Sequence, residues 1–158
     1  ARYVDSVAFQ SPPFTSSLEL YDFLQAATPD TMKTFTEDLF MRRVLYDNRV
    51  KEASVKKVAE GRYEVKLSLT TKKLEADSVG FELERQDMND FIDIGIFSDD
   101  DLKNPLYLQK HRLKPGEHQL TFTVYEKPKK AGIDPYHKLI DRVPDDNLSS
   151  LSTEGATL

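Results

Sequence analysis

The chain has no cysteine and no tryptophan. Without cysteine there is no disulfide, no thiolate metal site and no cysteine nucleophile. The compartment stays open, because both the cytosol and an oxidising space accommodate such a chain. Glycine is scarce, 6 of 158 residues, and no glycine-rich phosphate loop occurs. There is no basic excess either: 22 Lys and Arg stand against 27 Asp and Glu, for a formal net charge of −5. That balance argues against nucleic acid and against an anionic membrane surface, which both need a basic footprint. Lys127, Lys129 and Lys130 are too few to make one. No apolar run approaches the ~20 residues of a membrane helix, so direct membrane insertion is not expected. No signal-peptide pattern opens the chain. It starts at Ala1 rather than Met, which suggests a piece of a longer protein or a processed one.

What is present describes a folded domain. The 158 residues, 39% of them hydrophobic, suit one soluble unit with a sizeable core. Residues 1–16, with Pro12 and Pro13, read as an irregular lead-in. Residues 17–47 read as two short helices and a connection. Ser16 and Glu19 stand at capping-box spacing, with Leu20, Tyr21 and Leu24 following at helical spacing. Thr28-Pro29-Asp30 is a second start signal. Behind it Met32, Phe35, Thr36, Leu39 and Phe40 make a stripe expected to face a core.

After Asp47-Asn48 the period becomes two. Tyr63, Val65, Leu67 and Leu69 alternate with Glu64, Lys66, Ser68 and Thr70, as a half-buried antiparallel strand requires. The stretch 51–58 joins it through Glu60-Gly61, a hairpin link. Phe81 and Leu83 alternate with Glu82 and Glu84. Ile92, Ile94 and Ile96 alternate with Asp93, Gly95 and Phe97. Leu106 and Leu108 make a short strand, and Leu120, Phe122 and Val124 alternate with Thr121, Thr123 and Tyr125. No strand alternates with a helix, which disfavours a parallel α/β sheet. The expected fold is mainly β: an immunoglobulin-like antiparallel sandwich of six to seven strands over 48–128, preceded by two helices. Residues 129–147 form a C-terminal clasp, and 148–158, small and polar, are expected to be disordered.

No catalytic, cofactor-binding or metal-ligating set stands out. His111, His118 and His137 show neither a His-Glu-x-x-His helix nor an i, i+4 pair, and the ordinary reading is surface or hairpin histidines. Asp99-Asp100-Asp101 lacks the alternate ligands, central glycine and distal glutamate of a calcium loop, so a solvated loop is expected. No nucleophile elbow is present. A glycan site would show aromatic platforms; only Tyr107 and Tyr125 offer themselves. A peptide could add to an open sheet edge. These possibilities make up an alternative role as an independent extracytoplasmic module for a peptide, a protein partner or a glycan.

The segment 131–147 is dense in residues with backbone duties. Gly132 permits a turn. Asp134 and Pro135 can open a short helical turn, with Tyr136, Leu139 and Ile140 on one side of it. Arg142 has Asp134, Asp141, Asp145 and Asp146 within sequence reach and is expected to sit between carboxylates. Gly132, Asp134, Pro135, Tyr136, Asp141, Arg142 and Asp145 are therefore the candidate interaction residues. They form a clasp over an edge strand or sheet end, its outer face available to a neighbouring domain.

The string Gly132-Ile133-Asp134-Pro135-Tyr136 to Leu139-Ile140-Asp141-Arg142, continuing to Asp145-Asp146-Asn147, resembles the end of a group of bacterial proteins. These join ABC-2-type transporter permease segments to a zinc aminopeptidase-like (gluzincin) domain. The stretches 37–50 and Asp93-Ile94-Gly95-Ile96-Phe97 are similar to the terminal β region of that group, so the resemblance covers roughly 18–147. The family's zinc-binding His-Glu-x-x-His helix, downstream glutamate and amine-binding motif are not in this sequence, so no catalytic residue is carried over. The resemblance implies a non-catalytic C-terminal accessory domain whose partners are the preceding domains of a parent chain. Zinc would belong to the parent's peptidase domain alone. The parent would be a bacterial inner-membrane protein, with this domain on the periplasmic side. Exposed apolar residues such as Tyr3, Phe9, Phe14 and Phe23 would mark the excised contact.

Overall fold

The computed structural model describes residues 2–153. The chain divides into two compact units, one ending at Arg43 and one beginning at Val44. The first is helical: α1 (Arg2–Val7), α2 (Ser17–Ala27), a 3₁₀ turn (Asp30–Met32) and α3 (Lys33–Phe40). The lead-in expected to be irregular thus holds a helix; Ala1 lies outside the described residues. Tertiary contact explains α1, since an isolated helix of this length is marginal. The Tyr3 ring sits 5.3 Å from that of Phe23, and the two hydroxyl oxygens of Tyr3 and Thr15 lie 2.8 Å apart.

The cap signals are half right. Ser16 accepts from the backbone N–H of Glu19 at 3.3 Å, but the Glu19 carboxylate takes the Thr15 hydroxyl at 2.7 Å instead of closing the box. Thr28 ends α2 rather than starting α3: its hydroxyl donates to the Leu24 carbonyl. The α3 stripe expected to face a core keeps Phe35, Leu39 and Phe40 exposed. A few short helices have too little interior to enclose three large side chains. Phe9, Phe14 and Phe23 are exposed as well.

The second unit is mainly β. Its strands are β1 (Val44–Tyr46), β2 (Arg49–Ala59), β3 (Arg62–Thr71), β4 (Lys73–Ala76), β5 (Glu82–Glu84), β6 (Asp90–Phe97), β7 (Pro105–Leu113), β8 (Gly116–Val124), β9 (Lys130–Ile133), β10 (Leu148–Ser150) and β11 (Ser152–Thr153). They form three sheets, β1-β4-β5, β10-β9-β6-β7 and β11-β2-β3-β8, where the expectation was two. Pairing is antiparallel except for the parallel β11 and β2. One hydrophobic cluster draws on both four-stranded sheets: Val65, Leu67 and Leu69 from one, Ile92, Ile94, Ile96 and Ile133 from the other, with Tyr46 of β1. Alternation explains β3 and β8, whose apolar side faces this core and whose polar side faces water.

Three expectations are corrected. Leu106 and Leu108 belong to a nine-residue strand, not a short one. In β5 the alternation is inverted: Leu83 is exposed and so is Phe81 beside it, while Glu82 is partly buried where it meets Arg142. An ion pair thus overrides the apolar pattern in a three-residue strand. Residues 148–153, expected to be disordered, form β10 and β11, because β9 and β2 present open backbone edges that these polar residues can pair with. Residues 154–158 of that expected tail lie outside the described residues.

Candidate interaction surface at the C-terminal segment

The clasp begins as an internal strand. β9 lies between β10 and β6, so Gly132 occupies a sheet and not a turn. Its role is close approach: a Cβ there would run into the backbone carbonyl oxygen of Asn147 and sit 2.9 Å from the Leu148 Cα. Asn147 in turn accepts the Ile133 N–H at 2.9 Å.

From Asp134 the chain leaves the sheet and folds over the outer face of β6. That is the central strand, not the edge or sheet end expected. β6 is buried on both faces from Ile92 to Phe97. Its inner isoleucines enter the core; its outer side at Asp93, Gly95 and Phe97 is covered by 134–138. Pro135 is buried against Gly95, whose missing Cβ would lie 3.0 Å from the Pro135 ring. The Tyr136 ring meets Phe97 edge-on at 6.0 Å, and its hydroxyl donates to the Leu102 carbonyl at 3.2 Å.

Asp134 is buried with φ +43°, which is left-handed and not the extended geometry of a helix cap. Aspartate is one of the few side chains that tolerates this region, through local hydrogen bonds. Here its carboxylate accepts the N–H groups of Lys138 (3.0 Å) and Leu139 (2.9 Å). Its own N–H donates to the Asp93 carbonyl at 2.7 Å. Asp93 is also a buried charge on the covered face. It receives the ammonium groups of Lys138 at 2.7 Å and Lys110 at 3.2 Å. Burial works to raise the Asp93 carboxyl, and hydrogen bonds from Lys138 and then Lys110 overcome it, leaving its pKa below the ordinary value. The Asp93 partnership raises the Lys138 ammonium correspondingly.

Asp141 pins the far end. One carboxylate oxygen accepts the Asn48 N–H at 3.0 Å and the Asn147 amide at 3.3 Å; the other accepts the Val143 N–H at 3.0 Å. Backbone bonds from Tyr46 to Ile140 and from Arg142 to Tyr46 extend the β1 edge. Arg142 does not sit among aspartates. It reaches Glu82, while Asp146 takes Arg49 at 2.8 Å and Asp145 is exposed. The Arg142–Glu82 pair ties the segment to the loop and strand carrying Phe81 and Leu83. Phe81 is 64%, Leu83 62% and Ile140 69% exposed. Sequence reasoning misses Phe81 and Leu83 as surface groups, because their alternation imitates a buried strand.

A second buried charge lies beneath this region and carries no sequence signal. Lys73 is 2% exposed, its ammonium 2.8 Å from Asp90, and the Tyr46 hydroxyl donates to the same carboxylate oxygen at 2.8 Å. It fastens β4 and β1 to the start of β6.

The remaining candidates disperse. His111 contacts the Tyr107 hydroxyl at 2.7 Å, His118 lies 2.8 Å from the Lys114 carbonyl, and His137 is exposed with φ +49°. Among the described residues no three His, Asp or Glu side chains are grouped to hold a metal ion. Asp99 closes its own loop, accepting the N–H groups of Lys103 and Asn104. Tyr107 is half-buried against Phe122, whereas Tyr125 is exposed, so they make no common platform. A shallow recess of about 290 Å³ on the outer face of β2, β3 and β8 is lined mainly by polar side chains, among them Glu52, Ser54, Lys66 and Gln119. No helix among the described residues is long and apolar enough to cross a membrane. No protein-family model matches the chain, and neither a curated protein nor a solved structure does.

Proposed function

We propose that this chain is a non-catalytic accessory domain, an immunoglobulin-like sandwich with an added three-stranded sheet. Its work is to pack against the other domains of a larger protein. The observation that carries the reading is the exposure of Val79, Phe81 and Leu83, three large apolar side chains within five residues, on the segment that Arg142 of the clasp reaches at Glu82. Single exposed hydrophobic residues are ordinary; several in one short segment are the kind of surface that docks. The exposed aromatics of the helical unit support the same reading.

The string from Gly132 to Arg142 favours a particular parent: a bacterial inner-membrane, zinc aminopeptidase-like protein with transporter permease segments. In that setting the domain would lie on the periplasmic side and shape or buttress the peptidase region. Zinc and catalysis would belong to the parent's peptidase domain.

Two measurements test this. The coding sequence upstream of Ala1 should contain a His-Glu-x-x-His motif; its absence removes the named parent. Hydrogen exchange on this chain and on the longer parent should show protection gained at 79–84 and 139–143. Unchanged exchange there removes the docking role.

A further inference from the structure

One corner of the second unit holds a surplus of buried oxygen acceptors. There the start of β2 meets the 3₁₀ turn Pro144–Asp146 and the residue after it. Asn48 and Asn147 are fully buried. Neither polar atom of the Asn48 side chain hydrogen-bonds to the protein, and neither do Asn147 Oδ1 and Asp146 Oδ1, though all four are shut off from solvent. Asp141 gathers them. Its Oδ2 accepts from the Asn48 N–H and the Asn147 amide, so covalent geometry keeps both amide oxygens within about 7 Å of it. Asp146 adjoins Asn147, and its outer oxygen takes Arg49, the neighbour of Asn48. The inner oxygen is left without a donor.

Donors and acceptors do not balance here. One donor, Asn48 Nδ2, stands against three oxygens, so even ideal pairing leaves two of them unserved. The carboxylate between them has no counter-charge. Asp141 accepts three hydrogen bonds, all from neutral N–H groups, and among the described residues no Lys or Arg pairs with it. An ionised carboxylate offers about four acceptor sites, so one stays open on its Oδ1. Buried oxygens of this kind are served by water or by an ion, and the unbalanced carboxylate favours a cation. We propose that this corner binds one calcium ion, through Asn48 Oδ1, Asp146 Oδ1, Asn147 Oδ1 and the open site on Asp141. Calcium takes about six to eight hard oxygens in flexible geometry, side-chain amides among them, whereas magnesium demands a near-ideal octahedron. Water completes the shell. Half of the ligand set is neutral amide, so it does not stand out as a cluster of acids or histidines. Two carboxylates, one of them shared with Arg49, place the affinity in the weak class, about 10⁻⁴–10⁻³ M. The ion joins β2 to the far end of the clasp, a role separate from docking.

Calorimetric titration of calcium chloride into the whole chain, first stripped with chelator, should give a single site. Calcium at about 10 mM should raise the melting temperature by at least ~3 °C, and magnesium at the same concentration far less. Asp146→Asn keeps an oxygen for Arg49 but removes a charge. It should melt close to wild type in chelator and bind calcium ~10-fold more weakly. Asn48→Ala removes a ligand whose side chain bonds to nothing else in the protein, and should weaken binding as well. A wild type that does not respond to calcium overturns the proposal and leaves the corner to buried water. An equal response to magnesium overturns it too, as does calcium binding that survives either substitution unchanged.

Discussion

Lys138 sets its ammonium 2.7 Å from a carboxylate oxygen of Asp93, on the face of β6 that points away from the core. The pair joins the clasp to the central strand, and Lys110 reaches the other oxygen from β7. The carboxylate is buried while both lysines stay in water. Its loss therefore matters more than the loss of either lysine alone.

Asp93→Asn should cost about 1–3 kcal/mol at neutral pH. The sign of its pH dependence follows from the depressed folded pKa. The stabilisation is fully present above the unfolded carboxyl value, ~3.9, and disappears as pH falls through the lower folded value. Asp87, held at about 2 chiefly by its hydrogen bond with Arg85, acts in the same direction. Urea melts of wild type and Asp93→Asn should therefore differ clearly at pH 7 and converge toward pH 2.

Lys73→Met leaves the Asp90 carboxylate without its ammonium in a largely buried setting. The expected loss is about 3–5 kcal/mol, the cost of breaking rather than replacing a buried pair. Adding Asp90→Asn should recover part of it, since the amide keeps an acceptor for the Tyr46 hydroxyl. Chemical denaturation of the two singles and the double gives the coupling; strict additivity would count against a shared network.

Gly132→Ala places a methyl against the Asn147 carbonyl and the Leu148 Cα, both backbone atoms that no rotamer change can move. The expected cost is about 1–3 kcal/mol. The damage should centre on the pairing of β10 with β9. Limited proteolysis near Asn147 should accelerate before the rest of the unit is cut.

Asp141→Ala removes the acceptor of three hydrogen bonds, from Asn48, Val143 and Asn147. A loss of about 2–4 kcal/mol is expected. Amide exchange at Asn48 and Val143 should quicken more than at β3. Asp145→Ala, at an exposed position, should change stability by less than ~0.5 kcal/mol.

The change of period after Asp47 was enough to read a mainly β unit following helices, with β3 and β8 in their proper faces and a hairpin at Glu60-Gly61. Those features follow from side chains alternating every second residue, a rule that acts locally. The Ser16 cap was legible for the same reason, since its partner is three residues away. Asp134, Pro135 and Asp141 were singled out as well, though the duties expected of the segment, a helix cap at Asp134 and carboxylates around Arg142, are not the ones it performs.

What they clasp could not be read. Gly95 takes Pro135, Asp93 takes Lys138 and Arg142 takes Glu82 across long stretches of chain, and each partner is one of many of its kind. The exposure of Leu83 and the burial of Lys73 likewise contradict their residue types. In both places a specific ion pair outweighs the average preference of the side chain. Residues 148–153 became strands for a similar reason: β9 and β2 offer them backbone partners that composition does not reveal. Amino-acid order thus determined the local periods and caps, while tertiary packing decided the strand neighbours, the buried charges and the surfaces left open. Local rules depend on spacing along the chain, and those decisions depend on which distant groups the folded backbone brings within hydrogen-bonding distance.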